Sequence, residues 1–228
     1  MKLFRLALLG MLFAIVQAMH AQDYYQNVTL EDGTSITYAL LLPPKFEAGV
    51  SYPTLLALPP GPQTKDMVEA GLGYWRSGPE RGWVVISPVA PGPLFFQGAE
   101  VHIPALLEQV AQDVTFESDK VHVAGISNGG RSAFRIALKY PDLVHSLLVL
   151  PGFPPSEADF KQLERIKALP TVMYAGELDT GWVEQMMSTE AALKDLGADV
   201  TATVVEDEGH VIRSLSPEAL FGVLDGFR

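Results

Sequence analysis

Val121-His122-Val123-Ala124-Gly125-Ile126-Ser127-Asn128-Gly129-Gly130 is the stretch from which the fold of this chain can be read. A β-branched run passes directly into G-x-S-x-G, and the amphipathic segment Arg131–Tyr140 follows and stops before Pro141. A serine in that setting stands on a sharp turn between strand and helix, with its hydroxyl presented to solvent. Gly125 and Gly129 lack the β-carbons that would collide where strand and helix approach so closely. The pattern predicts a strand over Val121–Ile126, a helix over Asn128–Tyr140, and a nucleophilic role for Ser127.

Apolar runs and helical stretches alternate on either side of this unit. The chain after residue 21 opens with strand signals at Asn27–Leu30 and Ser35–Leu42, separated by Asp32-Gly33, the composition of a hairpin turn. Further strands are expected at Thr54–Leu58, Val84–Ser87, Ser146–Leu150, Thr171–Ala175 and Val200–Val205. Helices are expected at Thr64–Ser77, Ile103–Val114, Trp182–Leu196 and Pro217–Phe227. Strands separated by helices of this length imply an α/β architecture: an eight-stranded, mostly parallel sheet with helices on both faces.

At 228 residues and 48% apolar composition the chain has the material for one domain with a large core. Lys2 and Arg5 precede the apolar run Leu6–Val16, which leads into Gln17-Ala18-Met19-His20-Ala21. That order of charge, short apolar stretch and small residues predicts a secretory signal peptide over residues 1–21, cleaved after Ala18 or Ala21, and a domain over 22–228. Eleven residues are too few to span a bilayer. The expected location is therefore secreted or periplasmic, with no membrane partner after processing. Loss of Lys2 and Arg5 takes the formal charge from −11 to −13, a surface that repels nucleic acid. With no cysteine, disulfides and thiolate metal sites are excluded. No histidine–carboxylate spacing resembles a ligand set, so neither a metal nor an organic cofactor is expected.

The strand and helix order, with Ser127 after the fifth strand, resembles the α/β-hydrolase fold. GISNGG at Gly125–Gly130 is similar to the polyhydroxybutyrate-depolymerase, feruloyl-esterase and phospholipase/carboxylesterase branch of that fold. The resemblance implies a serine hydrolase cleaving carboxylic esters through an acyl-enzyme, on a small-molecule or polymeric ester. A serine peptidase of the same fold, or a binding protein that has lost turnover, would share most of these features.

A serine hydroxyl needs a base within hydrogen-bond reach. His122 lies inside a strand, His102 near a helix start, and His145 before a strand at the wrong end of the sheet. His210 follows the last strand on a loop, where the fold's order of serine, acid and base also puts it. For the acid, the resemblance favours Asp179, shortly after Gly176 in the loop past Thr171–Ala175; Glu177 is the reserve, and Glu157 and Asp159 remain open one strand earlier. One oxyanion donor is expected at the N–H of Asn128. The second should come from Pro59-Pro60-Gly61-Pro62-Gln63, where related sequences carry His-Gly. Proline has no N–H, which leaves Gly61 or Gln63, with Gln63 preferred. The segment between Leu150 and Thr171 is too short for a large lid, so an open cleft is expected, with Trp182 and Phe153 as substrate-binding residues and Phe95 and Phe96 nearby.

Overall fold

A computed structural model describes residues 24–228. The expected signal peptide lies outside the described residues. In chain order the strands are β1 Tyr25–Thr29, β2 Ser35–Leu41, β3 Ser51–Tyr52, β4 Thr54–Leu58, β5 Val84–Pro88, β6 Thr115–Phe116, β7 Val121–Gly125, β8 Val144–Val149, β9 Thr171–Gly176 and β10 Val200–Val205. The helices are α1 Lys65–Leu72, α2 Ile103–Val110, α3 Asn128–Lys139, α4 Glu157–Phe160, α5 Thr180–Asp195 and α6 Pro217–Asp225.

Eight strands form one sheet in the order β1-β2-β5-β4-β7-β8-β9-β10. β1 and β2 pair antiparallel, β2 runs antiparallel to β5, and the remaining pairs are parallel. The central strands β4, β5 and β7 are buried at every position because helices cover both faces. Successive residues serve opposite cores: Leu56 and Leu58 join α2, α3 and α5, whereas Leu55 and Ala57 join α1, α6 and the rings of Trp75, Trp83 and Phe221.

Four details depart from the expectations. α1 ends at Leu72, five residues short of Ser77, because the chain turns at Gly73 and folds Trp75 into the core. α2 stops at Val110, where turn bonds from Gln112 and Asp113 replace the helical ladder. The two-residue strands β3 and β6, which pair only with each other, were not expected. Nor was α4, a single turn whose N-terminus is capped by Ser156.

Parallel pairing aligns the carboxyl ends of the strands: Leu58 of β4 stands opposite Gly125 of β7, and Gly176 of β9 opposite Val205 of β10. The loops leaving those ends converge on one edge of the sheet, where open α/β sheets place their ligands.

Candidate active site

Ser127 bridges β7 and α3 with φ 58° and ψ −118°, a region that costs a non-glycine residue on the order of 1–3 kcal/mol. Close packing holds it there. A β-carbon on Gly125 would lie 2.1 Å from the carbonyl oxygen of Gly129, and one on Gly129 would lie 2.1 Å from that of Leu58. The Ser127 N–H donates to the carbonyls of Leu150 and Pro151 at 3.2 and 3.0 Å, which anchors the turn to the end of β8.

His210 Nε2 lies 2.8 Å from Ser127 Oγ, and His210 Nδ1 lies 2.6 Å from Asp179 Oδ2. Three loops, after β7, β9 and β10, thus meet in one hydrogen-bonded chain. For Nε2 to accept the serine proton, the neutral ring must carry its own proton on Nδ1 and donate it to Asp179. Asp179 caps the sixteen-residue helix α5, and its backbone carbonyl accepts from the N–H groups of Trp182 and Val183, which fixes where its side chain starts. The carboxylate is largely buried, with 18% of the side chain exposed, whereas the imidazole is 41% exposed.

The reserve acids and Glu208 have structural partners. Glu177 Oε2 accepts from the N–H of Asp207, Glu208 Oε1 accepts from that of Ser214, and these bonds shape the loop that carries His210. Glu157 pairs with Lys161, and Asp159 with Arg135. The other histidines among the described residues lie elsewhere. His145 bonds to the carbonyl of Phe227, and His102 faces Asp32. His122 is buried against Trp83 and bonded to Ser146, and burial depresses its pKa to about 3, so it stays neutral.

The loop after β4 corrects the preference for Gln63. Its N–H donates to the carbonyl of Pro60 at 3.1 Å, closing a turn at Gly61-Pro62, so that proton is committed. Its side chain is fully buried: Nε2 donates to the Pro59 carbonyl and to Ser132 Oγ, and Oε1 accepts from the N–H of Phe95. Gln63 is the internal brace of the loop. The N–H groups of Gly61 and Asn128 donate to no acceptor among the described residues. Asn128 Nδ2 donates to the Gly61 carbonyl at 3.0 Å, drawing Gly61 alongside the residue after the serine.

Trp182 packs edge-on against His210 with ring centroids 4.9 Å apart, and Phe153 packs against Trp182 at 4.9 Å. Phe95 is a core residue with no exposure, and Phe96 lies beneath the guanidinium of Arg131. Arg131 escaped the sequence reading. Its signal was spacing: it stands four residues after Ser127, on the same side of α3. The crossing from β8 to β9 holds only α4 and a short helical turn at Leu163–Ile166, with no large lid over the serine.

No protein-family model matches the chain, and no curated protein sequence matches it. Solved structures do. A thermostable esterase superposes with a TM-score of 0.71 at 19% identity, over 89% of this chain and 63% of that one, so the chain spans under two thirds of its length. S-formylglutathione hydrolase from Agrobacterium tumefaciens gives 0.65 at 18% identity, over 89% of this chain and 93% of that one. Porphyromonas gingivalis dipeptidyl peptidase 4 gives 0.68 at 13% identity, over 89% of this chain and 34% of that one. At such identities the likeness concerns architecture: this chain has the α/β-hydrolase fold.

Proposed function

We propose that the protein is a serine hydrolase that cleaves carboxylic esters through an acyl-enzyme. The observation that carries this reading is the relay from Ser127 through His210 to Asp179, at 2.8 and 2.6 Å on three separate loops. Ser127 Oγ attacks the ester carbonyl as His210 Nε2 takes its proton. Asp179 holds the imidazole in the accepting tautomer and stabilises the imidazolium that forms. The N–H groups of Asn128 and Gly61 take the oxyanion, aided by the N-terminal dipole of α3. His210 then returns the proton to the leaving alcohol. Water, activated by the same imidazole, releases the acid and restores the serine.

The short β8–β9 crossing supports an open cleft, suited to a bulky or polymeric ester, with Trp182 and Phe153 as its wall. Export rests on the pattern of residues 1–21 alone.

The test compares wild type with Ser127→Ala on 4-nitrophenyl hexanoate and on a fluorophosphonate probe. Both turnover and covalent labelling should vanish in the variant; hydrolysis at the wild-type rate would discard the reading. A peptidase would use the same relay, so an aminoacyl 4-nitroanilide is the companion substrate, and faster cleavage of it than of the ester would replace the ester assignment.

A further inference from the structure

α3 carries three cations in line with Ser127: Arg131, Arg135 and Lys139, each four residues beyond the last. Two of them are paired with carboxylates. Arg135 Nη2 lies 2.7 Å from Asp159 Oδ2, and Lys139 Nζ lies 3.0 Å from Glu100 Oε1, both acids being buried. Arg131, closest to the serine, has no carboxylate partner among the described residues. Among the described residues its one side-chain hydrogen bond runs from Nη2 to the carbonyl of Pro155 at 2.9 Å, and its buried Nε donates to nothing. A part-buried cation without a counter-charge is costly to keep, and burial pulls its pKa below the usual arginine value. The chain has 27 acidic side chains against 16 basic ones, so carboxylates are not scarce.

The position of Arg131 ties it to the serine. Helical side chains lean toward the N-terminus of their helix, the end of α3 at which Ser127 stands. Its guanidinium stands 4.3 Å from the ring centroid of Phe96 and 5.5 Å from that of Phe153. Phe153 packs on Trp182, and Trp182 on His210. The guanidinium and the imidazole therefore stand at the two ends of one aromatic wall.

We infer that Arg131 binds a carboxylate of the substrate, and that the ester cleaved at Ser127 carries a free carboxylate on its acyl part, as in a monoester of a dicarboxylic acid. A planar guanidinium fork matches a carboxylate with two parallel hydrogen bonds. The flanking rings hold the fork and restrict water, which strengthens the contact. The inference rests on the serine-hydrolase reading and specifies its substrate.

The test is a pair of esters with the same six-carbon acyl chain, 4-nitrophenyl hydrogen adipate and 4-nitrophenyl hexanoate, which differ by a terminal carboxylate in place of a methyl group. The ratio of their kcat/KM values should fall about tenfold or more in Arg131→Gln, as expected for one charge-assisted contact, with the change mainly in KM. Arg131→Lys, which keeps the charge and loses the fork, should fall between, and it supplies the comparison should the glutamine variant not fold. An unchanged ratio, with both substrates slowed together, would mean that Arg131 only braces Pro155 and would overturn the inference. So would a wild type that prefers hexanoate tenfold. Fluorophosphonate labelling of Ser127 separates the two failures: label with a flat ratio sinks the inference alone, and no label in wild type sinks the hydrolase reading with it.

Discussion

Replacing Gly176 with alanine moves the base without touching any group of the relay. Gly176 closes β9, and the loop that carries His210 passes directly over it. A β-carbon there would meet the carbonyl oxygen of Gly209 at 2.2 Å and that of Glu208 at 2.4 Å, whereas approaches under 3.0 Å essentially never occur. Both contacts are backbone, so no side chain can swing aside, and the loop must retreat by about 1 Å. The His210 bonds to Ser127 and Asp179, at 2.8 and 2.6 Å, lengthen beyond useful range over such a distance. A misplacement of about 1 Å costs roughly a hundredfold in rate, and the overpacking costs about 1–3 kcal/mol in stability. Gly209→Ala is the control: it adjoins His210, yet a β-carbon there has nothing within 4 Å and its φ is not positive. The assay is kcat/KM for 4-nitrophenyl hexanoate beside thermal melting for both variants. Gly176→Ala should lose about a hundredfold and remain folded, with Gly209→Ala within a few-fold of wild type. Equal activity in the two, at equal melting temperature, would refute the claim that β9 sets the position of the base.

Asp179→Asn should lower kcat on the order of ten-thousand-fold by favouring the wrong imidazole tautomer, whereas Glu177→Gln, which keeps an acceptor for the Asp207 N–H, should cost only a few-fold; steady-state kinetics on both variants checks the assignment. Gln63→Ala leaves the Phe95 N–H and Ser132 Oγ without their buried partner, so urea denaturation should show a loss of about 2–4 kcal/mol, and a loss under 1 kcal/mol would count against the brace. His122 has a folded pKa near 3, below its unfolded value, so its share of stability is whole above about pH 6.5 and drains away as pH falls toward 3. Wild type should therefore lose about 2–3 kcal/mol more than His122→Asn between pH 7 and pH 4.5, read from urea midpoints, and parallel losses would contradict it.

The sheet was legible because its strands are buried on both faces. Runs such as Thr54–Leu58 and Val121–Gly125 are buried throughout and mostly apolar, and lie within a residue or two of where the sequence puts them. The residues that meet at the serine were legible for a related reason: each follows a strand end, and the ends of parallel strands share an edge. What escaped depends on contacts between distant segments. The amphipathic pattern runs on past Leu72, and Gly73, where the chain turns to bury Trp75, keeps a right-handed helical backbone and so gives only a weak local signal. β3 and β6 have two residues each, below any period. The preference for Gln63 failed because its N–H is used inside its own turn, at a positive φ that glutamine seldom adopts. Arg131 looked like any helical cation until its neighbours Arg135 and Lys139 proved to hold carboxylates and it did not.

The brief crossing between β8 and β9 has a kinetic corollary. With 41% of the His210 side chain open to bulk solvent, a covalent intermediate on Ser127 would face an inexhaustible acceptor from the moment it formed. Transfer to a second alcohol is favoured where that acceptor is excluded, and an imidazole this open to solvent does not exclude it. For the ester cleavage proposed above, this exposure favours breakdown over synthesis or exchange.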